Sequence, residues 1–247
     1  GFKFRDQVNY STASYNWDAM GGGSNLFFIP SASNSIVEFN TSYSYYEMNY
    51  IDPLAFNNKS AYGLASGELQ ITNFFNKHKL IYGLQLTGES TEYIYYHTEQ
   101  AKTEQKDNTS DLGFFITNKL NFGRLLIEPG VRMQYYGSLP LKKASLEPRI
   151  SGKFHLLEWL ALKGAYGYYS QNLISSKSSR EIVNHFYGYL SSTDEISNKF
   201  RGENISYYQQ KARHIITGFE VFFPHIQINY ELYYKDYMHL TDRRAHV

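Results

Sequence analysis

Residues 124–135 read Arg124-Leu125-Leu126-Ile127-Glu128-Pro129-Gly130-Val131-Arg132-Met133-Gln134-Tyr135. Odd positions carry Leu, Ile, Pro, Val, Met and Tyr, whereas even positions carry Arg, Leu, Glu, Gly, Arg and Gln. Successive side chains of a β-strand point to opposite faces. This period of two therefore describes a strand of roughly a dozen residues, about twice the usual globular length. After the next turn, Leu146-Glu147-Pro148-Arg149-Ile150-Ser151-Gly152-Lys153-Phe154-His155 repeats the alternation, with Glu147, Arg149, Ser151, Lys153 and His155 on the polar side. Two neighbouring long strands, apolar on one face and ionisable on the other, predict a membrane barrel wall with lipid outside and water or protein inside. A soluble sandwich also alternates, but its strands are shorter and it has no reason to keep its long loops at one end.

The composition fits such a wall. With 24 Lys+Arg against 23 Asp+Glu, the 247 residues carry a formal net charge of +1, so no strong field recruits nucleic acid. The absence of cysteine removes disulfide frameworks and thiolate metal sites. The 24 Tyr and 17 Phe exceed what a core uses, and Tyr, apolar in its ring and polar at its hydroxyl, suits a membrane–water boundary. No apolar run approaches the ~18 residues of a membrane-crossing helix, a test that barrel strands evade because half their residues avoid lipid. Gly1-Phe2-Lys3-Phe4-Arg5 has no signal-peptide apolar region, and the charged Leu240–Val247 end lacks an aromatic closing strand. The expectation is one partial barrel domain over 1–247, a piece of a larger wall.

Taken in order, Phe2 to Tyr15 reads as one irregular strand, and Met20-Gly21-Gly22-Gly23-Ser24 and Ile29 to Ser35 read as turns. Val37, Phe39, Thr41, Tyr43 and Tyr45 mark a strand that ends at Asp52-Pro53, with a polar connection to about Ser60. Clearer hairpins follow, with tight turns at Asn76–His78, Asn121–Gly123, Leu157-Glu158 and Pro224, and longer connections at Thr98–Ser110, Gly137–Ala144 and Gln171–Tyr207. Short turns at one end and long loops at the other are the asymmetry of outer-membrane barrels, whose tight turns are periplasmic. Leu125, Ile127, Val131, Ile226, Ile228 and Leu232 are then expected to face lipid.

Leu126-Ile127-Glu128-Pro129-Gly130-Val131-Arg132, Ser145-Leu146-Glu147-Pro148-Arg149 and Gly164-Ala165-Tyr166-Gly167-Tyr168-Tyr169-Ser170-Gln171 resemble barrel strands of TonB-dependent outer-membrane receptors, particularly the Bacteroidota type, over about Tyr62 to the C-terminus. The resemblance implies the C-terminal part of an all-β transmembrane antiparallel barrel of about 22 strands closed around a plug. Roughly ten of those strands are legible here, without a plug-like segment or a TonB box. It further implies a multi-pass outer-membrane protein taking up a bulky nutrient, with membrane lipid and TonB, through the plug, as partners. Two rival readings are a receptor-like barrel serving as structural subunit of an outer-membrane complex, docking other subunits or a surface lipoprotein lid, and a passive porin.

Glu128, Arg132, Glu147, Arg149 and Lys153 are the candidate lumen-lining residues, with pairing across neighbouring strands as the plainer role. Eight scattered His show no metal-ligand spacing, and no nucleophile–base pattern accompanies the Ser-rich stretches, so neither metal, cofactor nor enzyme activity is expected. In the Gln171–Tyr207 excursion, Ser178 with Glu181 forms a capping-box pattern, and Ile182, Val183, Phe186, Tyr187 and Leu190 recur at helical spacing. Tyr169, Asn172, Arg180, Asn184 and Tyr187 there are the candidates for ligand or partner contact, folding over the barrel mouth being the plainer role of the loop.

Overall fold

In the computed structural model, residues 2–10, 13–51, 57–98, 101–137, 144–171, 174–175, 189–190, 199–200, 203–204 and 210–238 are described. The strands are β1 (Phe2–Tyr10), β2 (Ala13–Phe28), β3 (Ser35–Ile51), β4 (Asn58–Phe75), β5 (His78–Thr98), β6 (Ala101–Asn121), β7 (Leu125–Tyr136), β8 (Ala144–Leu157) and β9 (Leu160–Gln171). Four two-residue strands follow, β10 (Ile174–Ser175), β11 (Tyr189–Leu190), β12 (Lys199–Phe200) and β13 (Glu203–Asn204). The last are β14 (Gln210–Phe222) and β15 (Gln227–Tyr237). One antiparallel sheet of 11 strands runs β1 to β9 in order and then β14 and β15, an up-and-down meander with each strand beside its predecessor. The chain is all-β, a partial membrane β-barrel.

The register aligns the apolar alternation of successive strands. Phe39, Leu69, Leu84, Phe114, Met133 and Leu146 form one continuous row from β3 to β8. Phe154, Leu162, Phe219 and Tyr230 form another from β8 to β15, with the last two rings 5.3 Å apart. All of these side chains but the half-buried Leu69 are exposed, and the only cluster of buried hydrophobics among the described residues centres on Met48 and Tyr93. An apolar surface this broad is stable only against a membrane. At one end of the sheet the connections β2–β3, β4–β5, β6–β7, β8–β9 and β14–β15 each carry an exposed aromatic, Phe28, Phe75, Phe122, Trp159 or Phe223, forming a girdle at the turn end. His78 packs at 5.5 Å from Phe122, and Trp159 stacks at 6.2 Å on Phe223.

Two of these turns depend on the left-handed backbone. Asn76 adopts φ 54° between β4 and β5. At the next turn Gly123 has φ 77°, its N–H donating to Asn121 Oδ1 at 2.9 Å while Phe122 N–H closes on Leu125 O at 2.8 Å.

The structure departs from the sequence reading in several places. Phe2 to Tyr15 spans two strands, and β2 runs through Met20–Ser24 instead of turning there. A Cβ at Gly23 would lie 2.6 Å from Thr41 O, so the glycines admit close strand approach. The expected loop at Thr98–Ser110 is mostly strand, because β6 starts at Ala101. A tilted strand crosses the hydrocarbon with about 9–11 residues, whereas β5 and β6 have 21 each. Their surplus stands beyond the membrane, where both faces meet water and no apolar alternation announces a strand. Likewise β4 begins at Asn58, before the end of the expected connection at Ser60. Of the expected helix, Leu190 sits in a strand paired to Ile174, and residues 182–187 lie outside the described residues.

Candidate functional site

The face opposite the apolar rows is polar, and its charges gather in three tiers. Nearest the turns, Lys119 meets Glu128 at 3.4 Å across β6 and β7. Lys153 and Lys163 stand directly opposite each other in register, which would be repulsive alone; Glu220 on β14 pairs with both, and Lys163 also with Glu231.

Midway, Arg132 turns to amides. Its Nη2 donates to Gln85 Oε1 at 2.5 Å and to Gln134 Oε1 at 2.7 Å, and Nε donates to Gln134 Oε1 at 2.9 Å. Gly113 makes room for it, since a Cβ there would lie 3.0 Å from Arg132 Nη2.

The loop-side tier is the most buried. Glu147, only 3% exposed, accepts from Arg149 Nη2 at 2.6 Å, from the Ser170 N–H at 3.0 Å and from the Ser170 hydroxyl. The Tyr136 hydroxyl joins Ser170 Oγ at 2.9 Å. The Arg149 guanidinium lies 4.5 Å over the Tyr169 ring, whose other neighbour is His214 at 4.4 Å. Beside Tyr136 in register, Asp111 is buried with no partner for Oδ1 among the described residues, while Glu89 accepts from Tyr62 at 3.4 Å and Thr109 at 3.5 Å. The short strand β11 contacts β5 and β4, so the excursion after β9 reaches five strands across the sheet.

Further toward the loop end, Tyr15, Trp17, Tyr46, Tyr50 and Tyr95 pack around Met48 and Tyr93 on this face. Tyr15 and Tyr50 lie 4.9 Å apart, and Tyr93 stacks on Tyr95 at 6.1 Å. Sequence reasoning missed this cluster, although the period of two continues through Tyr46-Met48-Tyr50 and Tyr93-Tyr95. On the other face at the same height, above the apolar rows, Lys59 lies 3.6 Å from Glu47 and 3.1 Å from Glu92. Burial works against ionisation of Glu47, but hydrogen bonds from Tyr45 (2.5 Å) and Asn49 (2.8 Å) and the Lys59 ammonium hold its carboxyl below the usual range. Burial and that bond to Glu47 push the Tyr45 phenol up.

All five residues expected to line the lumen lie on the polar face, distributed over the three tiers. Their partners differ from simple cross-strand pairing: Arg132 stands opposite Glu147 in register, yet Glu147 takes Arg149 from its own strand and Arg132 takes amides. Side-chain reach decides this, and alternation does not report it. Of the loop candidates, Tyr169 stands against Arg149 and His214, whereas Asn172, Arg180, Asn184 and Tyr187 lie outside the described residues. Among the described residues no group of three or more His, Asp or Glu is placed to hold a metal ion.

An exposed apolar sheet face backed by an ion-paired polar face is the architecture of a transmembrane β-barrel wall, seen here in part. The chain is similar to the alcaligin outer-membrane receptor FauA of Bordetella pertussis at 10% identity and TM-score 0.66, over 94% of this chain and 38% of that one. It is similar to the ferric-catecholate import receptor Fiu of E. coli K12 at 11% identity and TM-score 0.64, over 92% and 42%. The ferric citrate transporter FecA gives 12% identity and TM-score 0.60, over 92% and 35%. The chain thus spans about two fifths of the length of these structures. At such identities the likeness is one of fold. No protein-family model and no curated protein matches the sequence.

Proposed function

We propose that this chain is the C-terminal part of a TonB-dependent outer-membrane transporter, of the Bacteroidota type, that imports a bulky nutrient. The observation that carries the reading is the division of the sheet: rows of exposed apolar side chains on one face, and tiers of paired charges on the other. Charges fixed by partners along a wall suit a wide lumen through which a polar solute passes. Glu128, Arg132, Glu147, Arg149 and Lys153 line that path, and the tight turns face the periplasm. Coupling to TonB requires a plug, which in this reading belongs to the whole protein and not to residues 1–247. The solved structures named as an import receptor and a transporter support import over a structural role.

Uptake of a labelled nutrient on which growth depends on this protein tests the reading. Uptake should stop when the proton-motive force is collapsed; persistence at an undiminished rate refutes energised import and favours a porin.

A further inference from the structure

At the loop end of the polar face, between β9, β14 and β15, a cleft opens that is lined by Tyr169, Gln171, Gln210, His214, Lys235 and Tyr237, with Lys211 at its rim. Its charge differs from that of the rest of the face. Lys119, Lys153, Lys163 and Arg149 each meet a carboxylate. His214 and Lys235 stand directly opposite each other in the β14–β15 register, and among the described residues no carboxylate pairs with Lys211, His214 or Lys235. Lys235 instead lies 5.7 Å over the Tyr233 ring. Described acids in the neighbourhood are engaged elsewhere: Asp236 points to the other face and takes Arg213 at 2.7 Å, Glu231 takes Lys163, and Glu147 takes Arg149 behind the Tyr169 ring. His214 and Lys235 thus face an open cleft with Lys211 at its rim, where no carboxylate among the described residues meets them, and an amide pair flanks it, Gln171 Nε2 donating to Gln210 Oε1 at 2.9 Å.

We propose that this cleft binds an anionic group, a carboxylate or a phosphate, of the solute that enters the barrel. Lys235 and Lys211 neutralise it, the Gln171–Gln210 pair offers further polar contacts, and Tyr169 and Tyr237 supply flat apolar walls for the adjoining carbon skeleton. The assignment rests on the face being the lumen; an anion site on the lipid side would serve lipid headgroups instead.

The test uses the full-length receptor in detergent, with citrate and pyrophosphate as carboxylate and phosphate probes, glucose as neutral control, and lipopolysaccharide micelles as the headgroup source. Isothermal titration should show citrate or pyrophosphate binding that weakens at least tenfold in a Lys211→Gln/Lys235→Gln double variant, survives in Lys235→Arg and falls with added salt. Equal affinity in wild type and double variant, or no binding of either probe, overturns the site. Binding of lipopolysaccharide micelles alone assigns the cleft to lipid and also overturns it. Lys235 is exposed and Lys211 partly so, and an unchanged heat-modifiable band on gels verifies folding of each variant. Energised uptake with unaltered anion affinity in the variants would sink this proposal while leaving the transport reading intact.

Discussion

Ile116 lies in the apolar face of β6, 44% exposed, between Tyr82 of β5 and Val131 of β7. It is six residues above the turn aromatic Phe122; at roughly 3.4 Å per residue and a strand tilt of about 40°, that places it about 15 Å above the turn girdle, near mid-bilayer. Arg at this depth on the lipid face costs about 2–4 kcal/mol. Tyr43, near the outer boundary on β3, should accept Arg at about 0–1 kcal/mol, because the guanidinium reaches the headgroups. Ser151, on the polar face and opposite Glu128 in register, should accept Arg at a similarly small cost, since Glu128 is an acid neighbour and the flanking Arg149 and Lys153 already hold Glu147 and Glu220. Gln134, although on the same face, is a poor control: its amide oxygen already accepts two bonds from Arg132, and Arg there would set like charges together. Urea unfolding in lipid vesicles, followed by tryptophan fluorescence and heat-modifiability, gives the three values. Equal costs for Ile116→Arg and Ser151→Arg would refute the assignment of faces, and a large cost for Tyr43→Arg would refute the assigned depth.

A Cβ at Gly83 would lie 2.2 Å from the Leu69 backbone oxygen and 2.7 Å from Phe115 Cζ, so Gly83→Ala should cost about 1–3 kcal/mol, while Gly67→Ala, with nothing within 4 Å, stays within about 0.5 kcal/mol by the same unfolding assay. Glu147→Ala strands the Arg149 guanidinium and the Ser170 N–H and should cost about 3 kcal/mol. Glu147→Gln keeps an acceptor and should cost about half as much; equal losses would show that the carboxylate charge contributes nothing. The Glu47 carboxyl, held below its usual range, stabilises the loop-side sheet above the normal carboxylate pKa and loses that contribution as pH falls through its folded value. Because the groups are a quarter to a third exposed, the loss should be under about 1 kcal/mol. Hydrogen exchange of the β3–β5 amides at pH 3 and pH 6 should show added opening at the lower pH in wild type and no such difference in Lys59→Met/Glu47→Gln.

The strands that cross the membrane were legible because lipid and lumen impose opposite chemistry on alternate residues. Each such residue of 125–136 or 146–155 therefore reports its own face, whatever it touches. The same contrast explains what was misread. Above the membrane both sides are wet, so Lys106 and Asn108 of β6 look like loop residues although they pair with Glu92 and Ser90 of β5. Within β2, Gly21-Gly22-Gly23 has the local preferences of a turn, and only the neighbouring strands, through contacts at Phe2 and Thr41, hold it extended. Alternation by itself established that this chain is a two-faced membrane sheet, and which face each charge of the membrane-crossing strands occupies. Which partner each charge takes was decided by the tertiary structure: Glu220 reaching two lysines, Arg132 settling on amides, and Lys211 and Lys235 meeting no carboxylate among the described residues. A hydrogen bond or ion pair between strands depends on register and side-chain reach over several ångströms, and neither is encoded in a period of two.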